Sequence, residues 1–420
     1  PKDTISPPGT GVLAGRIINA CDDQGLRGAT VIVDERTVVS DAEGSFRFPG
    51  IAEGGYEARI ALPSYKVETL NVQIDSGRLE NIEVKLWPDV VSEPEGHKLD
   101  VLFVVDNSGS MFQQQLTLAD AAPAFLTLLK EKKLNLRIGV ISTDLGAGDY
   151  GLPSCERPKG DDGALQNQPR YSSSCTVPFD PWIAVSYSED RPIHNVGSGT
   201  AAEALTCIIP LGNRGCGFEQ PLAAIRRALD PNHKINQGFL RDDAALAVIV
   251  FTDEDDCSVK NAHLFDPTQS GLNDPLGPLT SFRCFEFGVT CDTKGRQKGP
   301  RDNCKPTTGE GSMLLEVEPL IKELKDLKGD KGLFFGLIAG PSAPVEVHLD
   351  GSLPTLAPSC QTVNGYAVPP VRLQAAVDAL ALRGKSDSIC ATDLGPTMAS
   401  IAHQIISTTL GNACKPPDPP

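Results

Sequence analysis

Nowhere in the 420 residues is there an uninterrupted apolar run of the kind a bilayer-crossing helix needs, about 18 residues or more. No segment is therefore expected to span a membrane. Basic residues are scarce: 38 Lys and Arg face 54 Asp and Glu, for a formal net charge of −16. That balance argues against nucleic acid or an anionic membrane surface as partner and suits cations or cationic surfaces. The chain does not open on a basic stretch followed by an apolar one, which is the expectation for a mature form, with any lipid-bearing cysteine upstream of residue 1. Catalytic signatures are missing as well. There is no G-x-S-x-G, no H-E-x-x-H and no P-loop, the glycine pairs fall outside a G-x-G-x-x-G frame, and the six histidines are scattered. A non-enzymatic protein is the expectation.

What the chain does have is cysteine, twelve in all, without a C-x₂-C pair to favour structural zinc. In an acidic chain with long polar loops, this points to disulfides and an oxidising compartment, extracellular or at a cell surface. Cys21 stands alone before residue 99 and the other eleven follow it. Either an odd number of disulfides joins the two regions, or each region keeps a thiol that is free or bonded to another molecule. The close pairs Cys155/Cys175, Cys207/Cys216 and Cys284/Cys291 are the first guesses at connectivity.

Two patterns divide the chain. After an N-terminal extension (1–10), residues 11–88 carry short alternating runs such as "ATVIVDE", "GSFRFPGI" and "GYEARIAL" between turn signals, which predicts an all-β sandwich of about seven strands. The stretch "VSDAEGSFRFPGIAEGGYEARI" resembles the carboxypeptidase regulatory-like, transthyretin-like domain, with Asp41, Gly44, Phe46 and Phe48 on its turn and Gly55 and Tyr56 on the following strand. The resemblance implies a non-catalytic spacer or docking module, and the aromatics Phe46 and Tyr56 are expected in its core. A proline-bearing linker (89–97) follows. From 98 to 412 the near-continuous apolar runs "KLDVLFVVD", "LRIGVISTD", "AALAVIVFTD" and "KGLFFGLIAG" alternate with helical stretches, which predicts an α/β doubly wound, mostly parallel sheet covered on both faces. Polar, cysteine-bearing insertions are expected at about 145–197 and 256–310, and 413–420 reads as an extended tail.

"DNSGS" directly follows the first apolar run, so Asp106, Ser108 and Ser110 are placed at the C-terminal edge of a strand, where open α/β sheets bind ligands. One carboxylate and two hydroxyls at alternate positions form an all-oxygen set suited to Mg²⁺ or Ca²⁺. A serine nucleophile would need a base and an oxyanion hole, and a helix N-cap is the plainer alternative. With Thr252 and Asp253 after the run "VIVF", the pattern resembles a von Willebrand factor A domain and its metal-ion-dependent adhesion site over about 98–412. That resemblance implies a divalent cation held by Asp106, Ser108, Ser110 and Asp253, and binding of a protein or extracellular polymer, with self-assembly into a fibre or surface layer as the alternative. The family's usual threonine is replaced: Glu219 stands at the expected position and is taken as the fifth metal ligand, with Thr200 a second candidate one helix too early. "DEDD" (253–256) adds Glu254, Asp255 and Asp256, which read as a solvated acidic loop.

Overall fold

The computed structural model describes residues 9–20, 23–63, 65–87, 98–171, 175–187, 192–309, 311–329, 332–363 and 365–409. They fall into two compact units, one within residues 1–93 and one spanning 94–410.

The first unit contains seven strands: β1 (Thr10–Asn19), β2 (Thr30–Val33), β3 (Arg36–Val39), β4 (Ser45–Ala52), β5 (Gly54–Ala61), β6 (Glu68–Ile74) and β7 (Leu79–Leu86). They make a three-stranded sheet, β4-β1-β7, and a four-stranded one, β3-β2-β5-β6, in a sandwich-like arrangement. Alternate side chains such as Phe46 and Phe48 on β4 and Ala58 and Ile60 on β5 are buried, while Tyr56, expected in the core, is only half-buried. The turn before β4 depends on Asp41, whose Oδ1 accepts from the amides of Glu43 at 3.1 Å and Ser45 at 2.7 Å. Gly44 closes it at φ +80°, where a Cβ would stand 2.2 Å from the Ile17 carbonyl oxygen. Backbone conformation and space both require glycine there.

In the second unit β8 (Lys98–Val105), β9 (Asn135–Ser142), β10 (Ile183–Ser186), β11 (Ile193–His194), β12 (Ala245–Phe251), β16 (Leu333–Ala339) and β21 (Gly384–Ser388) form one sheet, ordered β11-β10-β9-β8-β12-β16-β21. The five strands from β9 to β21 are parallel, and at one edge β10 pairs antiparallel with both β9 and β11. Hence the stretch 145–197, expected to be an insertion, supplies two strands of the sheet. Alternation on β8 sends Val101, Phe103 and Val105 into the core under α1 (Phe112–Glu131), α2 (Ala201–Ile208) and α7 (Gly395–Thr409). Leu102 and Val104 point to the opposite core, under α3 (Pro221–Ala228), α5 (Val317–Lys328) and α6 (Val371–Asp378). Both faces are covered, so the central strands are apolar on both sides over most of their length.

The stretch 256–310 holds the short α4 (Phe282–Gly288), β13 (Val289–Thr290), β14 (Gly299–Arg301) and β15 (Lys305–Pro306). β14 joins β17 (Val345–Asp350) and β18 (Leu353–Leu356) in a small sheet, and β19 (Cys360–Thr362) pairs with β20 (Gly365–Ala367). Among the described residues no helix is long and apolar enough to cross a membrane.

Ten cysteines form five disulfides: Cys155–Cys216, Cys175–Cys207, Cys257–Cys284, Cys291–Cys304 and Cys360–Cys390. All three pairings guessed from spacing are therefore corrected. Proximity in the chain is a poor guide because the partners meet across loops that the sheet brings together, 61 residues apart for Cys155 and Cys216. Cys21 and Cys414 lie outside the described residues. Disulfides in this number belong to an oxidising compartment.

Candidate metal centre

The chain steps from β8 to β9 on one side, then crosses to β12 and β16 on the other, so the sheet changes winding direction between β8 and β12. A crevice at the carboxyl ends of the strands follows from that topology. Register pairs Val105 with Phe251 on β12 and with Ser142 on β9, so Asp106, Thr143 and Thr252 leave the sheet side by side.

Asp106 is held from both oxygens. The Ser108 amide donates to Oδ1 at 2.8 Å and the Thr252 hydroxyl to Oδ2 at 2.7 Å. Gln115, on the first turn of α1, donates through Nε2 to the carbonyls of Asp106 at 2.6 Å and Gly212 at 2.8 Å, and the Gly215 amide donates to the Asn107 carbonyl at 2.7 Å. The hydroxyls of Ser108 and Ser110 are 3.3 Å apart, and that of Ser110 reaches the Asp253 carboxylate. Neither serine caps α1. Its N-cap is Met111, with no side-chain bond to the first turn, which removes the N-cap reading of "DNSGS".

Charge sets this cluster apart. The other buried carboxylates are paired: Asp100 with Arg241, Asp144 and Asp161 with Arg157, and Asp256 with Arg372. Asp106, Glu219 and Asp253 are 0%, 2% and 2% exposed, and among the described residues no Lys or Arg pairs with them. Burial, then the Asp106 and Glu254 charges, pushes Asp253 up to about 8. Burial, then Asp106, pushes Glu254 up to about 7. Glu219 is held well above the usual carboxylate range by burial and by the charges of Glu254 and Asp106. Asp253 Oδ1 is buried with no hydrogen-bond partner, a costly state for a buried polar oxygen.

These residues fit a divalent cation, which would supply the positive charge and the partner that the Asp253 oxygen lacks. Among the described residues no group of three or more His, Cys, Asp or Glu side chains is arranged to hold a metal, so a cation would depend on the Ser108 and Ser110 hydroxyls beside Asp106 and Asp253. Glu219 lies near enough to feel the charges of Glu254, Asp106 and Asp253.

Thr200 is engaged elsewhere: its hydroxyl accepts from the Glu203 amide at 3.2 Å in the capping box of α2. The acidic loop is not solvated, which corrects its reading from sequence. Asp256 is fully buried, its Oδ2 2.9 Å from Arg372 Nη2, and Asp255 accepts from the amides of Arg372 and Leu373 at the start of α6. Glu254 receives the Ser281 hydroxyl. The sequence gives no hint of these partners because Arg372 lies more than a hundred positions away. Thr252, by contrast, was visible as part of the strand-end motif, though its bond to Asp106 was not.

Residues 12–86 match the carboxypeptidase regulatory-like domain family, so the chain carries such a domain at its N-terminus. No curated protein matches the sequence. Solved structures similar to part of the chain include the Bacillus anthracis TIE protein (16% identity, 19% of this chain and 17% of that one, TM-score 0.18). They also include the group B streptococcus pilus 2b backbone protein (16%, 19% and 41%, 0.17) and BcpA, the major pilin subunit of Bacillus cereus (17%, 19% and 31%, 0.17). The chain thus spans less than half the length of each of the three. Likeness of that extent bears on neither activity nor partner.

Proposed function

We propose that the second unit is a von Willebrand factor A-like adhesion module, non-enzymatic, that binds a protein or extracellular polymer through a divalent cation at the ends of β8 and β12. The N-terminal domain acts as spacer or docking arm at a cell surface. One observation carries the reading: the only buried carboxylates without a basic partner among the described residues, Asp106, Glu219 and Asp253, gather at the sheet's switch point beside two serine hydroxyls. Mg²⁺ and Ca²⁺ match these hard oxygen donors. Asp106, Ser108, Ser110 and Asp253 hold the ion, and Glu219 makes the site more anionic than the family's threonine would. A cation so placed leaves coordination positions toward solvent for a partner's oxygen.

Calorimetric titration of the full chain with Mg²⁺, Ca²⁺ and Mn²⁺ tests the proposal. Saturable binding by the wild type, lost in Asp253→Asn with an unchanged circular dichroism spectrum, is the expected result. No heat with any of the three at millimolar concentration overturns it.

A further inference from the structure

Behind the cation site lies a second, smaller core that the sheet does not supply. Ala147 and Leu152 from the loop after β9, Phe218 from the loop before α3, Leu264 and Phe265 from the loop after β12, and Leu314 pack together around two disulfides, Cys155–Cys216 and Cys257–Cys284. The Phe218 and Phe265 ring centroids are 4.7 Å apart. All four cysteines are buried. Each disulfide sits one peptide or less from a hydrogen bond to the site. The Cys257 amide donates to the Glu219 carbonyl at 2.7 Å, and Gly215, next to Cys216, donates to the Asn107 carbonyl at the same distance. The Gly217 amide, on the other side of Cys216, donates to the Ser154 carbonyl at 3.0 Å.

From this we infer that Cys155–Cys216 and Cys257–Cys284 are positioning residues for the cation site, forming a cross-linked shelf that fixes the Asn107 peptide and Glu219 against Asp106 and Asp253. The inference rests on the cation-site reading above. Loops of this length sample many conformations unless tied, and groups that orient ligands from behind commonly govern affinity by about 10- to 100-fold. Cys291–Cys304 provides an internal control: its cysteines are in a separate cluster with Phe282, Val345 and Val347.

The test compares Mn²⁺ affinity and thermal midpoint in the full chain for the paired variants Cys155→Ser/Cys216→Ser, Cys257→Ser/Cys284→Ser and Cys291→Ser/Cys304→Ser. The expected result is a lower midpoint in all three, with Mn²⁺ affinity reduced about tenfold or more in the first two and unchanged in the third. Phe218→Ala, which loosens the shelf without touching a disulfide, should lower affinity in the same direction and serves if a paired variant does not fold. Equal Mn²⁺ affinity in the wild type, the shelf variants and Phe218→Ala overturns the inference while leaving the cation site standing. Absence of Mn²⁺, Mg²⁺ and Ca²⁺ binding by the wild type overturns both.

Discussion

Asp253 and Glu254 give the site a measurable acid–base signature. Both titrate higher in the folded chain, at about 8 and about 7, than at their ordinary values of 3.8 and 4.5. Between those limits the folded state keeps protons that the unfolded state has lost, so stability falls as pH rises through the window and levels off above the folded values. With a chelator present, the thermal midpoint should therefore be higher at pH 5 than at pH 8 as far as these two groups decide it. Saturating cation, which favours the ionised carboxylates, should flatten that slope, and Asp253→Asn should reduce it even without cation. Scanning calorimetry across this range checks all three outcomes. Thr200 offers the opposite case. Thr200→Ala removes a helix cap and should cost about 0.5–2 kcal/mol while leaving cation affinity unchanged, as urea unfolding and a Mn²⁺ titration would show.

At the scale of elements, the loop after β12 and the start of α6 form a single electrostatic joint. Arg372 and Asp256 are both 0% exposed and 2.9 Å apart, and the Arg372 guanidinium also donates to the Leu315 carbonyl at 2.7 Å. Arg372→Ala leaves a buried carboxylate unpaired and should cost about 3–5 kcal/mol; chemical denaturation measures it, and a loss below about 1 kcal/mol would contradict the pairing. Such joints also mark the limit of sequence reading. The apolar runs of β8, β9, β12 and β16 announced themselves because both faces of each strand are buried, and "DNSGS" announced the strand end. β21, "GKSDS", is polar and becomes a strand only through its pairing with β16. Asp256 looked solvated because it closes a run of acidic residues, and its partner Arg372 lies far along the chain.

For the whole molecule, covalent connectivity is the sharpest prediction. Peptide mapping without reduction should return the five linkages Cys155–Cys216, Cys175–Cys207, Cys257–Cys284, Cys291–Cys304 and Cys360–Cys390. Recovery of Cys155–Cys175 or Cys284–Cys291 instead would contradict the fold around the site. The same map shows whether any cysteine links two chains, which separates an adhesion module from a covalently joined fibre subunit. The ends of the large sheet bear on that choice too. One edge is β11, two residues long, and the other is β21, with Lys385 and Asp387 along it. An edge that short or that charged offers a poor template for a neighbouring backbone. The large sheet therefore closes itself off at both sides, so that chains brought side by side, as the adhesion proposal has them, gain no route to amyloid-like growth through it.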